Sequence, residues 1–132
     1  MTYLETGETK VLGDRDQLIM AIHNLIENAI NYSPENTKVS VTKTKSDGII
    51  DISVTDQGIG ISDSEQERIF ERFYRVDPAR SRQTGGTGLG LSIVKHVAAK
   101  HGGEVKVWSV ENIGSTFSLR LPIYAPQMEI TE

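Results

Sequence analysis

DRDQLIMAIHNLIENAINYSP, Asp14 to Pro34, carries the longest helical pattern in the chain. Leu18, Ile22, Leu25 and Ala29 return at steps of three and four, and Ile19, Ile26 and Ile30 widen the stripe. One side of a helix there must be buried. Asp14 reads as its N-cap. Ser33, biased out of the helical region by Pro34, ends it near Tyr32. Asn24, Asn28 and Asn31, with Tyr32 beside the last, follow at spacings that hold them along one face. Asparagine in a helix costs about 0.5 kcal/mol against alanine, so three on one side mark either a solvated face or a working one. An amide oxygen is a hard ligand suited to Mg²⁺, which keeps several waters and shares phosphate oxygens. Taken alone, neither reading outweighs the other.

Working outward, Lys10 to Leu12 forms a short strand before Gly13. Beyond the helix, Val39 and Val41, then Ile50, Ile52 and Val54, alternate with polar residues across a turn at Ser46-Asp47-Gly48, which makes a hairpin. Asp56-Gln57-Gly58-Ile59-Gly60 follows. An ionised aspartate only accepts, so it suits an amino group such as that of adenine, and glycines let the backbone approach a ligand closely. A plain turn has the same composition.

Ser62 to Arg72 reads as a short helix, with Ser62 as cap and Glu65 in capping-box register. In Phe70-Glu71-Arg72-Phe73-Tyr74-Arg75 the aromatics serve the core, and Arg75 is a candidate charge-assisted phosphate donor. Val76 to Gly86 is polar and basic without apolar periodicity, a mobile loop by pattern. Gly86-Thr87-Gly88-Leu89-Gly90 then opens a second helix, where free N–H groups and the helix dipole favour an anion. Leu91, Val94 and Ala98 share a face of that helix, and Gly102-Gly103 stops it. Val105 and Val107, then Phe117, Leu119 and Leu121, are two closing strands around Asn112 to Gly114, with Thr116 a possible polar contact. After Pro122 the tail is unpatterned.

The order strand, helix, hairpin, loop, helix, hairpin implies an α+β fold. We expect a two-layer sandwich whose mixed, mostly antiparallel sheet is covered on one face by helices. A doubly wound sheet would need strands and helices to alternate. No Gly-Lys pair occurs, so there is no P-loop, and the glycine spacing is not that of a dinucleotide site. Asp14-Arg15-Asp16 and Asp56-Gln57-Gly58 lack the surroundings of the eukaryotic-type kinase motifs.

With 132 residues the chain suits one domain. It holds no cysteine, which excludes disulfides and thiolate-metal sites and fits a cytoplasmic setting. No apolar run nears the roughly 18 residues a membrane span needs, and no leader opens the chain. A net charge of -4 argues against nucleic acid as a general partner. Arg68, Arg72, Arg75, Arg80 and Arg82 nevertheless fall in one stretch, either a site for a small polyphosphate or a solvated loop.

The ordered set is more specific than its members. Asn-x-x-x-Asn-Ala, Asp-x-Gly-x-Gly, Phe-x-x-Phe-Tyr-Arg, Gly-Thr-Gly-Leu-Gly-Leu and Gly-Ser-Thr-Phe resemble the N, G1, F, G2 and G3 boxes of bacterial sensor histidine kinases. The resemblance runs from Val11 to Pro122. From Phe73 through Trp108 it is most like the phosphate-regulon type, of actinobacterial flavour.

The resemblance implies a Bergerat-type ATP-binding fold with a core over about 10–122, a flexible lid over about 61–84 and a tail over 123–132. It also assigns site residues. Asn28 would ligate Mg²⁺ and Asn24 would orient the phosphates. Asp56 would take the adenine amino group beside Gly58 and Gly60, with Thr116 holding a water. Tyr32 and Tyr74 would line the nucleotide pocket, and Arg75 would meet the γ-phosphate. Gly86, Thr87, Gly88, Leu89, Gly90 and Leu91 would shape the end of the lid. Many relatives carry lysine where this chain has Asn31, so a phosphate contact there is in doubt.

The implied reaction is in-line phosphoryl transfer, with Asn24 and Arg75 as its catalytic residues. The acceptor would be a histidine on the kinase's own dimerisation domain. His23, His96 and His101 lack acceptor surroundings. A response regulator would be the downstream partner, the isolated domain would be monomeric, and the whole kinase would be membrane-anchored with this part in the cytoplasm. Two alternatives stand beside this. A gyrase, heat-shock chaperone or mismatch-repair type ATPase needs a general base, normally glutamate where Asn24 stands, and an amide cannot take a proton. Glu27 is the only nearby candidate. A degenerate docking module would bind no nucleotide.

Overall fold

A computed structural model describes residues 2–6, 9–72, 74 and 90–124. In chain order these form β1 (Thr2–Thr6), β2 (Thr9–Gly13), α1 (Arg15–Tyr32), β3 (Ser40–Ser46), β4 (Ile49–Thr55), a 3₁₀ turn (Arg68–Phe70), α2 (Gly90–Lys100), β5 (Glu104–Val110) and β6 (Gly114–Pro122). Strands β3 to β6 build one sheet in the order β3-β4-β6-β5, and β1 and β2 form a separate pair. Every described pairing is antiparallel. Strand β1 was not expected from the sequence.

The reason for two layers is legible residue by residue. Ile50, Ile52 and Val54 of β4 face Leu121, Leu119 and Phe117 of β6, and all six are buried. Leu18, Ala21, Leu25 and Ala29 of α1 and Val94, Val97 and Ala98 of α2 close over them. Burying a side chain of this kind contributes about 1.5–3 kcal/mol, so the inner face holds the two helices down. The alternate positions form a polar outer face. There Ser53 Oγ lies 2.8 Å from Ser118 Oγ, and Arg120 lies between Asp51 and Glu104 at 3.7 and 3.5 Å.

Local signals act as the sequence predicts at most ends. Asp14 caps α1 by accepting the Gln17 N–H at 3.1 Å. Ser33, at ψ 135° before Pro34, leaves the helix and its hydroxyl bonds back to Ala29 O at 2.7 Å. Asp47 and Gly48 both take positive φ between Ser46 and Ile49, a two-residue turn whose twist matches the strands. Ser62 to Arg72 differs from expectation. It is a run of turns ending in the 3₁₀ segment, and the Ser62 hydroxyl bonds to the Glu65 carboxylate at 3.1 Å instead of capping a helix.

The two helices are tied at one end by His101. Its Nε2 accepts the Asp14 N–H at 2.9 Å, and its Nδ1 lies 2.8 Å from Val97 O. An N–H can only donate and a carbonyl only accept, so the ring is neutral with its proton on Nδ1. A Cβ on Gly13 would lie 2.1 Å from this ring, which is why the residue before the cap is glycine. No helix among the described residues is long and apolar enough to cross a membrane.

Candidate functional site

Helices α1 and α2 run antiparallel, and their lengths define an open corner. His101, just past α2, meets Asp14, and the first residue of α2, Gly90, meets Asn24: a Cβ on Gly90 would sit 3.8 Å from the Asn24 amide carbon. At 1.5 Å per residue both spans are about 15 Å, so the match is consistent. Helix α1 continues from Asn24 to Tyr32, about 12 Å beyond the start of α2.

The asparagine face borders the buried stripe of α1. Asn24 and Asn28 are half-buried, and their side-chain amides make no hydrogen bond to another described residue. Asn31 and Tyr32 are half-buried too. Beside them, Gly90 brings the first turn of α2, whose N–H groups lack helical partners. Asn24 therefore stands at a helix N-terminus with Asn28 one turn further along α1, and neither amide bonds to a described residue.

The third wall is the loop after β4. Asp56 is 5% exposed, and both backbone donors that reach it, Gly58 N–H at 2.9 Å and Ser115 N–H at 3.2 Å, go to Oδ1. No donor from the described residues reaches Oδ2. Burial raises the pKa of this carboxyl above the ordinary aspartate range, and the two N–H bonds hold it partly back. The loop is seated against α1 itself, since a Cβ on Gly58 would lie 2.3 Å from Tyr32 O. Gly60, at φ 73°, passes the Val110 carbonyl where a Cβ would be 2.2 Å away. That packing alone requires glycine there.

Asn24, Asn28, Tyr32, Asp56, Gly58 and Gly90 thus come together, with Asn31 and Gly60 at the margin. Arg75, Gly86, Thr87, Gly88 and Leu89, and the whole of the expected mobile loop from Val76 to Gly86, lie outside the described residues. Leu91 packs against the core. Tyr74 is engaged elsewhere: its hydroxyl donates to Glu65 at 2.5 Å, which raises the phenol's pKa, and Arg68 stacks on its ring at 4.7 Å.

Thr116 does not join the corner. Its hydroxyl lies 3.0 Å from that of Thr55 on the outer face, because it alternates with inward-facing Phe117. The residue beside Asp56 is Ser115, buried and exchanging backbone hydrogen bonds with it. Counting back two from Phe117 puts Ser115 on the inner face, a signal the sequence carried.

A family model described as "Histidine kinase-, DNA gyrase B-, and HSP90-like ATPase" matches residues 13–125. The chain is 60% identical over 115 residues to the sensor-like histidine kinase SenX3 of Mycolicibacterium smegmatis, covering 87% of this chain and 30% of that protein. It is 42% identical over 106 residues to the phosphate regulon sensor protein PhoR of Pseudomonas aeruginosa, covering 80% and 24%. Among solved structures, a mycobacterial sensor histidine kinase, MprB, superposes with a TM-score of 0.77 at 37% identity, covering 87% of this chain and 76% of that one. Full-length ShkA in complex with AMPPNP superposes at 0.75 and 31% identity, covering 89% and 24%. The chain thus spans less than a third of the length of these two curated relatives.

Proposed function

Given that the chain belongs to the histidine kinase-, DNA gyrase B- and HSP90-like ATPase family, as a catalytic domain of the sensor-kinase type, we propose that it binds Mg-ATP in the corner between α1, α2 and Asp56. There it presents the γ-phosphate to a histidine on the dimerisation domain of its own kinase. The observation that carries this reading is the amide of Asn24 beside the start of α2, with that of Asn28 one turn on, neither bonded to a described residue. Residues that cost helix stability and find no partner within the described chain have the character of ligands in waiting.

Each wall has a chemical task. Asp56 takes the adenine amino group on Oδ2, with Oδ1 held by two backbone N–H groups that fix the carboxylate plane. Ser115, in place of Thr116, is the polar residue beside it. Tyr32 and Gly58 border the base. The start of α2 at Gly90 receives phosphate oxygens, and Asn24 orients the phosphate chain. Arg75, and the glycines from Gly86 to Gly90, complete the phosphate end in this proposal, with a lid beginning at Ile61.

The donor set fits one hard cation shared with the substrate. Among the described residues no group of three histidine, aspartate or glutamate side chains could hold a metal alone. Asn28, an amide oxygen facing the phosphate end, is the protein's contribution. Mg²⁺ bound there neutralises charge on the transferred phosphoryl group.

The protein's remaining work is positioning. Asn24 cannot abstract a proton, so water is not activated at that place. Glu27, the other candidate for a base, is exposed and lies 3.6 Å from His23 on the solvent side of α1. The geometry therefore favours transfer to a presented acceptor over hydrolysis. The whole kinase is proposed to be membrane-anchored, with this domain in the cytoplasm and a response regulator downstream. Mixing the domain with candidate acceptor domains and labelled ATP tests the reading. Label on an acceptor histidine supports it, and steady phosphate release without labelling contradicts it.

A further inference from the structure

Ser109 lies on β5 directly opposite Ser115 on β6. Its Oγ receives the Ile61 N–H at 2.6 Å and lies 2.8 Å from Ser115 Oγ and 3.1 Å from Gly114 O. A serine hydroxyl has one hydrogen and two lone pairs. The Ile61 N–H can only donate, so it takes a lone pair of Ser109 Oγ, while the Ser109 hydrogen serves Gly114 O or Ser115 Oγ and either serine can donate to the other.

The other side of Ser115 is bonded to Asp56. Its N–H meets Asp56 Oδ1 at 3.2 Å and its carbonyl accepts the Asp56 N–H at 2.8 Å. On the far side, Gln66 reaches Ile61 O at 3.1 Å and Ser109 O at 3.4 Å. An unbroken path of hydrogen bonds therefore links Asp56, Ser115, Ser109, Ile61 and Gln66. It crosses the end of the β5–β6 hairpin instead of following the chain. The backbone between Asp56 and Ile61 is pinned to the same hairpin by Asn112 N–H on Ile59 O at 2.7 Å.

We propose that Ser109 is a positioning residue for nucleotide binding. It holds Ile61 in register with Asp56, so that seating a base on the carboxylate also orders the segment from Ile61 to Arg72. The inference rests on the reading of Asp56 as the base acceptor. It adds a residue on an edge strand that touches no part of the proposed ligand.

Ser109→Thr keeps the hydroxyl, and Ser109→Val has the same shape without it. Calorimetry with Mg-ATP on the 132-residue chain should show Ser109→Val weakened roughly tenfold and Ser109→Thr close to the parent. Amide exchange over Ile61 to Arg72 should slow on saturation with Mg-ATP in the parent and in Ser109→Thr, but not in Ser109→Val. Should the valine variant fail to fold by circular dichroism, Ser109→Ala removes the hydroxyl without added bulk and must show the same two losses. Parental affinity and parental slowing in the hydroxyl-free variant would overturn the proposal, as would a threonine variant no better than valine. Asp56→Asn belongs in the same series. If it loses binding while Ser109→Val does not, the inference about Ser109 alone fails. If Asp56→Asn keeps parental affinity, the reading of Asp56 fails and takes this inference with it.

Discussion

The two ends of the α1–α2 pair are built on opposite plans. At one end Asp14 caps its own helix and gives its N–H to His101, whose other nitrogen is bonded to Val97 O. Gly13 leaves no room for anything else. At the other end Asn24, beside Gly90, and Asn28, one turn further along α1, sit half-buried with amides that bond to no described residue. The closed end bonds the Asp14 N–H, the Gln17 N–H and both nitrogens of His101, as a packed helix terminus should. The open end carries two asparagine amides, poor helix formers, that bond to no described residue. Stability and binding are thereby assigned to different ends of one helix pair, about 15 Å apart. Substitutions should separate them.

The largest effect should come from the open end, and in activity alone. Asn28→Ala and Asn24→Ala should each reduce phosphotransfer to an added acceptor domain by about 100-fold or more, the scale of losing one placed transition-state contact. Thermal melting of the chain without ligand should shift little, and upward if at all, since alanine is favoured over asparagine by about 0.5 kcal/mol. A clear drop in melting temperature would show that the amides have structural partners and break the contrast.

The closed end should answer in stability. His101→Ala strands the Asp14 N–H and leaves a cavity against Gly13, together about 2–4 kcal/mol in chemical denaturation. The folded fraction should still bind Mg-ATP with affinity near the parent's. Lost binding in protein shown to be folded would mean that the two ends are not separable.

A smaller effect concerns Asp56 and pH. Burial raises its pKa above the ordinary aspartate range, so the folded chain holds this proton more tightly than the unfolded chain does. Its contribution to stability is present at acid pH and is lost as pH rises through the raised value. The ligand-free parent should therefore lose stability relative to Asp56→Asn over that window, and Asp56→Asn should be at least as stable at neutral pH. Denaturant midpoints across pH check this. A parent more stable than Asp56→Asn at neutral pH contradicts it.

Much of this was legible beforehand, for physical reasons. The stripe of Leu18, Leu25 and Ala29 and the alternation of Ile50, Ile52 and Val54 fix two layers, because each repeat has one buried face. Asp14 and Ser33-Pro34 fix the ends of α1 by local chemistry. The antiparallel match that brings Gly90 to Asn24 is tertiary, and no local pattern encodes it. The same holds for His101, whose sequence surroundings show only that it is no phosphoacceptor and not that it bonds to Asp14. Ser62 to Arg72 reads as a helix because Ser62 and Glu65 have the right spacing. Gln66 and Tyr74 instead spend their side chains on Ile61, Ser109 and Glu65, and the backbone follows those contacts. Thr116 stands on the outer face beside Thr55. Ser115, one residue earlier, shares the parity of Phe117 and so the inner side, and the alternation already contained that answer.

The central claim is that the corner between Asn24, Gly90 and Asp56 reads adenine through the carboxylate. Calorimetric titration of the parent and of Asp56→Asn with Mg-ATP, and of the parent with Mg-GTP, tests it most directly. Asparagine keeps the shape of the side chain but loses the charge, and a hydrogen bond to a charged group contributes about 1.5–3 kcal/mol. We expect the parent to bind Mg-ATP, Asp56→Asn to bind about 10- to 150-fold more weakly, and Mg-GTP to bind poorly, because guanine offers a carbonyl where adenine offers an amino group. Equal affinity of parent and Asp56→Asn, or equal affinity for the two nucleotides, would contradict the placement of the base and reduce Asp56 to a turn residue.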